Sequence, residues 1–394
     1  MEDNCMTPSR ECVARETPCF FYYLPPELFE HVIDELKYDT PSLRCCSLVC
    51  KAWHPRSSFY LFASFRISCF PLSASLLDFH ALVSSGSTRV PWHIRCLEVD
   101  VLPHNIKLVA TLLQHLPRLE SLALYGIQGL FGASDDIARP ALACDGRALK
   151  QLRAVWLPVD HISCFLALFT AVDVLEVCFA ESTRPRGFSS APSCVRHLLV
   201  KSETDEALGD IGHLVEPCTL ESIALDLDGV YYHEVAPERL HALLCLAGRH
   251  IKHLELALPP GGWTDPPHNV NALATCANLE SVTLTTPQVA QFSTRLWLES
   301  ATLLASLPPQ TRHVRFETGC RGLGTGDSAL RDFVHGLDWS VLARAMAHCR
   351  GLEKLEVVVL GFGRSPVLLA GQTQIRDVVL AKFPVWIKDV VVFV

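Results

Sequence analysis

The sequence predicts an α/β chain: a small all-helical module near the N-terminus, then a long stack of coils in which parallel strands alternate with helices. Three observations lead there. From Leu24 to about Ser68, apolar residues recur at spacings of three and four, the period of a helix face. Beyond Phe62 a second pattern returns eleven times: apolar, two residues, apolar, one residue, apolar. Its last two members alternate at period two, as they do on one side of a strand. Helix-compatible stretches separate these triplets, which recur on average every 29 residues, a period typical of stacked strand–helix repeats. The expected organisation is a flexible segment over 1–22, the helical module over 23–68 and the stacked coils over 69–394.

In the module, Pro25 and Pro26 suit the first turn of a helix, where no amide donor is needed. Leu28, Phe29, Val32, Ile33 and Leu36 form one broad apolar stripe, and Glu27, Glu30, Asp34, Glu35 and Lys37 fill the other face. A second helix is expected with Thr40 as N-cap and Pro41 as its first residue. Leu43, Cys46, Cys50 and Trp53 line its face, Leu48 and Val49 widen it, and Pro55 is expected to stop it. A third short helix, from about Ser57 to Phe62, closes the unit. Some 45 residues are too few to bury all this apolar surface internally, so part of it must meet a partner or the rest of the chain.

The string LPPEL, the Ile33/Leu36 pair, Leu43, LVCKAW from Leu48 to Trp53 and the late aromatic Phe62 resemble an F-box, of the fungal F-box-like type. The resemblance covers about 45 of 394 residues. Two departures are the slightly long segment between Leu36 and Leu43, and Phe62 where many members have tryptophan. The resemblance implies docking onto the Skp-type adaptor of a cullin-RING ubiquitin ligase of the SCF type, through Leu24, Pro25, Leu28, Ile33, Leu36, Val49 and Trp53. Of these, Leu24, Pro25 and Leu28 are expected to touch the adaptor and Trp53 to hold the helices together. Periodicity alone also describes an ordinary three-helix cap whose leucines are all core.

The triplets have as middle members Phe65, Leu97, Leu122, Leu152, Leu175, Leu198, Ile223, Leu254, Val282, Val314 and Leu355. Helical segments are expected at Asn105 to Leu116, Asp160 to Ala171, Pro237 to Ala247 and Ser340 to His348. No such coil buries its apolar side alone, so neighbours must stack. This part resembles an irregular leucine-rich-repeat solenoid. The family's asparagine or cysteine ladder, five residues after the middle apolar position, is replaced here by residues such as Leu102, Ile127, Pro259 and Pro287, with Asp228 the nearest equivalent. An α/β sheet with ordinary helical crossovers is the alternative. At the end, Ile375/Val378/Leu380 and Ile387/Val390/Val392 both fit the triplet but lie 12 apart, so one is expected to be helical and WIKDVVVFV the closing strand.

Hydrophobic residues make up 49% of the chain, enough for a large core. A formal net charge of −8 argues against a nucleic-acid partner, and no apolar run reaches the 18 residues of a membrane span. The opening residues are polar and lack a signal-peptide apolar region, which places the expected protein in the cytoplasm or nucleus with its 17 cysteines as free thiols. No Cys-x-x-Cys occurs, and Cys96, Cys194, Cys218, Cys276 and Cys349 sit just before apolar triplets, as small buried residues would. Cys5, Cys12 and Cys19 are evenly spaced, but Pro8 and Pro18 interrupt them.

Catalytic signatures are missing from the sequence: no Gly-x-Ser-x-Gly, no Walker loop, no His-Glu-x-x-His. His250 and His253 read as a strand entry. The glycine-rich stretch from Gly319 to Gly326 follows a strand and could be proposed to cradle a nucleotide, but it lacks the glycine spacing and the lysine for that. Pro259 to Asn269 is a similar turn-rich loop with Trp263. No enzyme activity, cofactor or metal is therefore expected. A protein substrate is expected to lie on the strand face opposite the buried pairs, at Glu98, Asp100, Tyr125, Arg153, Glu176, Lys201, Asp226, Glu255, Arg315 and Glu317, with His253, Thr283 and Glu356 beside them. Its acidic lean suits a basic partner. The reading is a substrate receptor, with a binding scaffold lacking any ligase role, or an enzyme using the glycine-rich loop, as alternatives.

Overall fold

The structure, a computed structural model, describes residues 25–68, 74–127, 146–179, 193–202, 208, 211–212, 214–227, 237–259, 273–286, 294–319, 335–360, 366–367, 377 and 379–393. The expected flexible segment 1–22 lies outside them, as do Leu24, Asp228, Pro287, Trp263 and most of the glycine-rich loop. The chain divides into two compact units, Met1–Ala63 and Ser64–Val394.

In the first unit, helix α1 spans Pro26–Glu35, α2 Thr40–Val49 and α3 His54–Ala63. Two helix boundaries differ from expectation. Asp39, not Thr40, caps α2: its carboxylate accepts from Ser42 N at 3.2 Å and from Ser42 Oγ at 2.6 Å. Pro55 does not stop α2 but sits in the first turn of α3, where a missing amide hydrogen costs nothing. Ile33, Leu43 and Cys46 form the buried centre, and the small Ser57 and Ser58 lie buried on α3. A bidentate pair from Arg56 to Asp34 (2.6 and 2.7 Å) ties α3 to α1, with Tyr60 Oη donating to the same carboxylate at 2.9 Å.

Among the described residues, the second unit is built on one 13-stranded sheet. Its strands are β1 Ser64–Ile67, β2 Cys96–Asp100, β3 Ser121–Tyr125, β4 Ala148–Val155, β5 Ala171–Phe179, β6 Cys194–Ser202 and β7 Ser222–Asp226, then β8 His253–Ala257, β9 Ser281–Thr285, β10 His313–Gly319, β11 Lys354–Leu360, β12 Pro366–Val367 and β13 Val391–Phe393. From β1 to β11 the strands lie side by side in chain order and all parallel; β12 is antiparallel to β11, and β13 pairs with β11 in parallel. Helices α4 (Ala74–Ser84), α5 (Ile106–Gln114), α6 (Val159–Leu166), α7 (Pro237–Ala247), α8 (Thr294–Ala305) and α9 (Trp339–Met346) connect them, and α10 (Val385–Lys388) precedes β13. Each strand therefore adds to the same growing edge, the connectivity of stacked coils. Because β1 pairs with β2, residues 64–67 belong to the sheet, not to the helical module expected over 23–68.

The triplets set the register. All eleven middle residues, from Phe65 to Leu355, face one another across neighbouring strands. The residues two further on, such as Val99, Leu124, Val177, Leu256 and Phe316, share with them a single apolar core that also takes in the inner faces of the helices. Ala171 opens β5 instead of ending a helix, and α4 and α8 are further helices between triplets. At the end of the chain Leu355 pairs with Val391, not Val390, so the expected closing triplet is displaced by one residue and Val392 comes out 42% exposed.

Backbone pairing runs on to the position just before the absent asparagine ladder. Four residues after the middle position, Val101, Gly126, Trp156, Leu258 and Thr286 each donate their amide to the next strand's carbonyl at 2.7–2.8 Å. The main chain continues the pairing, so no polar side chain is required there, and apolar residues such as Val101 and Leu258 stay buried. At this step Trp156 adopts a positive φ of 56°, and a Cβ on Gly126 would strike its carbonyl.

Candidate partner-docking surfaces

In the helical unit, the apolar stripe of α1 divides. Ile33 is 1% exposed and belongs to the core, which removes it from any outward surface, whereas Leu28 and Val32, one turn apart, are each 50% exposed. At the end of α2, Leu48 is 85% and Val49 56% exposed, so these two do not widen the inner face as expected. Tyr38, in the turn between α1 and α2, is also exposed. Pro25 is exposed and Leu36 is half-buried. Trp53 is half-buried and its ring lies 5.8 Å from that of Phe29, a contact between α1 and the start of α3 that suits a bracing role. Single exposed leucines are commonplace; five large apolar side chains exposed in so small a unit are not.

On the sheet, the expected substrate residues do share the face opposite the core. Arg66, Glu98, Ala123, Arg153, Glu176, Leu199, Ala224, Glu255, Thr283, Arg315 and Glu356 form one register row, and Asp100, Tyr125, Lys201, Asp226 and Glu317 lie two residues further along. Their charges are largely matched internally. Glu176 sits between Arg153 (3.4 Å) and Lys201 (3.6 Å), and Arg66 lies 3.8 Å from Glu98. Arg315 reaches Glu317 at 2.6 Å and Glu356 at 3.2 Å, while Lys354 holds Glu356 at 2.5 Å. The hydrogen bond from Lys354 draws the Glu356 carboxyl below the usual range. These pairs offset part of the acidic lean read from residue types, so the charge the face presents is weaker than its carboxylates alone suggest.

A further row was not singled out from the sequence, although aligning the triplets on their middle residue displays it. Two positions before each middle residue, at the strand entries from β2 to β11, stand Arg95, Glu120, Lys150, Asp173, Arg196, Glu221, Lys252, Glu280, Arg312 and Glu353. Their signs alternate without a break across ten strands. Glu120 is held by Arg95 (2.5 Å) and Lys150 (2.7 Å), with its carboxyl drawn down chiefly by the Lys150 hydrogen bond. Arg196 lies between Asp173 (2.9 Å) and Glu221 (3.8 Å), and Lys252 lies 3.7 Å from Glu221. Arg312 lies 3.7 Å from Glu353. Lys150, Asp173, Arg196, Glu221 and Lys252 border a cleft of about 860 Å³ along this edge.

His250 borders that cleft, and His253 lies on the open face, so they are not a joint site. Cys276 and Cys349 are fully buried, and burial pushes both thiols up to about 11, as befits packing residues. Cys194 and Cys218 both donate to the Glu216 carboxylate, which raises their pKa values. Among the described residues no group of three or more His, Cys, Asp or Glu side chains is arranged to hold a metal ion, and no helix is long and apolar enough to cross a membrane.

No protein-family model matches the chain, and no curated protein matches it. Among solved structures it is similar to the leucine-rich repeat-containing protein LegL7 from Legionella pneumophila, at 12% identity and a TM-score of 0.40, over 81% of this chain and 97% of that one. At that identity and score the likeness bears on neither partner nor activity.

Proposed function

We propose that this protein is a substrate receptor of an SCF-type cullin-RING ubiquitin ligase. The helical unit would act as an F-box that docks a Skp-type adaptor, and the sheet, read as degenerate leucine-rich repeats, would hold a protein substrate. Chemistry would belong to the ligase's other subunits, in the cytoplasm or nucleus, with no cofactor on this chain. The observation that supports the reading is the outward placement of Leu28, Val32, Leu48 and Val49, each at least half exposed, on the segment whose LPPEL and LVCKAW strings resemble an F-box. Apolar side chains held outward by a folded unit suit burial in a partner.

The test is affinity purification from cells, with a variant bearing Leu28→Asp and Leu48→Asp as control. The proposal expects the Skp-type adaptor and cullin to co-purify with the wild type and to be lost from the variant. Adaptor without cullin would instead indicate a scaffold with no ligase role. Neither protein with the wild type would overturn the proposal.

A further inference from the structure

The open face of the sheet has two self-neutralised regions, Arg153, Glu176 and Lys201 on β4–β6, and Arg315, Glu317, Lys354 and Glu356 on β10 and β11. Between them runs a strip of different character. In one register row, β6 to β10 carry His197, Ser222, His253, Ser281 and His313 in strict alternation. His197 Nδ1 lies 2.8 Å from Ser222 Oγ, and His253 Nδ1 lies 2.7 Å from Ser281 Oγ. Each serine fixes the ring of the histidine on the strand before it and leaves Nε2 on the opposite edge of the ring. When the serine hydroxyl donates to Nδ1, that Nε2 holds the ring hydrogen and is a donor. His313 differs, since its Nε2 lies 3.6 Å from Glu353 at the strand entry. Two residues further along β6 and β7, on the same face, Leu199 and Ala224 supply a small apolar floor.

Spacing selects the kind of chain that fits. Neighbouring strands lie about 4.7–4.9 Å apart, which puts His197 and His253, two strands apart, roughly 9.4–9.8 Å from each other across the sheet. A polyproline II helix repeats every three residues, at about 9.3 Å, and its carbonyls have no internal partners. An α-helix has already used its carbonyls. In a β-strand, residues three apart, at about 10 Å, point to opposite sides. Proline adds no amide donor to compete with the histidines.

We propose that this strip docks a proline-rich segment of the substrate in polyproline II conformation, with backbone carbonyls three residues apart accepting from Nε2 of His197 and His253 and pyrrolidine rings resting on Leu199 and Ala224. The proposal rests on reading the sheet as the substrate-binding part of the receptor. The test is fluorescence anisotropy of the full chain with labelled decaproline, against a glycine–serine decapeptide. Decaproline should bind saturably and the control should not. The double variant His197→Ala, His253→Ala should bind at least about tenfold more weakly at an unchanged melting temperature. The Leu28→Asp, Leu48→Asp variant should bind decaproline as the wild type does, so failure of adaptor docking and failure of this strip give separate readouts. Equal binding of the two peptides, or undiminished binding by the histidine variant, would overturn the inference.

Discussion

Reversing one charge in the strand-entry row should destabilise the sheet more than neutralising it. Arg196 is the informative rung because Asp173 and Glu221 flank it at 2.9 and 3.8 Å. Replacement by Gln removes two attractive contacts, each worth about 0.2–1 kcal/mol for exposed pairs. With side chains 57% and 44% exposed the low half of that range applies, giving about 0.5–1 kcal/mol in total. Replacement by Glu removes the same contacts and places three acidic groups in succession, which roughly doubles the loss to about 1–2 kcal/mol. Over a unit this large, each kcal/mol moves the melting temperature by about 1–2 °C. Melts of the wild type, Arg196→Gln and Arg196→Glu at low salt should therefore fall in that order. At 1 M salt, where the screening length is about 3 Å, the gap between the two variants should close. Equal melting of both variants at low salt, or a gap that survives high salt, would show that the alternation contributes nothing electrostatic to the stack.

Two further outcomes follow from the packing. Leu254, 2% exposed in β8 and in register with Ile223 and Val282, should cost roughly 2–5 kcal/mol when cut to Ala, measured by denaturant unfolding; a loss below about 0.5 kcal/mol would contradict its place in the core. Asp34→Asn should destabilise the helical unit by about 1–2 kcal/mol at neutral pH, after allowance for a site one-third exposed, because Arg56 loses its carboxylate. The Arg56 hydrogen bonds hold the Asp34 carboxyl below its usual range. Its contribution is therefore complete above the unfolded pKa of about 3.9 and fades as pH falls through the lower folded value. Wild type and variant should thus converge in acid, and a constant difference down to pH 2 would exclude the ion pair as the cause.

The sheet was legible because two periods leave separate marks: alternation fixes which strand residues point inward, and each middle residue then meets its counterpart on the next strand. The slip at Val391 shows the limit, since a run of valines contains no alternation to choose between Val390 and Val391. Pro55 was misread because the same residue can end one helix or open the next. The outward position of Leu48 was not legible, as an amphipathic pattern does not distinguish a residue that faces its own core from one that faces a partner; for Val49 only the F-box resemblance implied a partner. Neutralisation of Glu176 by Arg153 and Lys201 joins residues from three strands, which only the register could reveal. The alternating entry charges, by contrast, were present in the sequence as a column in phase with the triplets.

Direct titration of the purified full chain with a purified Skp-type adaptor tests the central proposal most sharply. Saturable binding is expected for the wild type. The Leu28→Asp, Leu48→Asp variant should bind at least about 100-fold more weakly, since each buried anchor is worth some 2 kcal/mol or more, while the sheet melts unchanged. Binding that is absent in the wild type, or equal in the variant, would contradict the docking role given to the exposed leucines of α1 and α2.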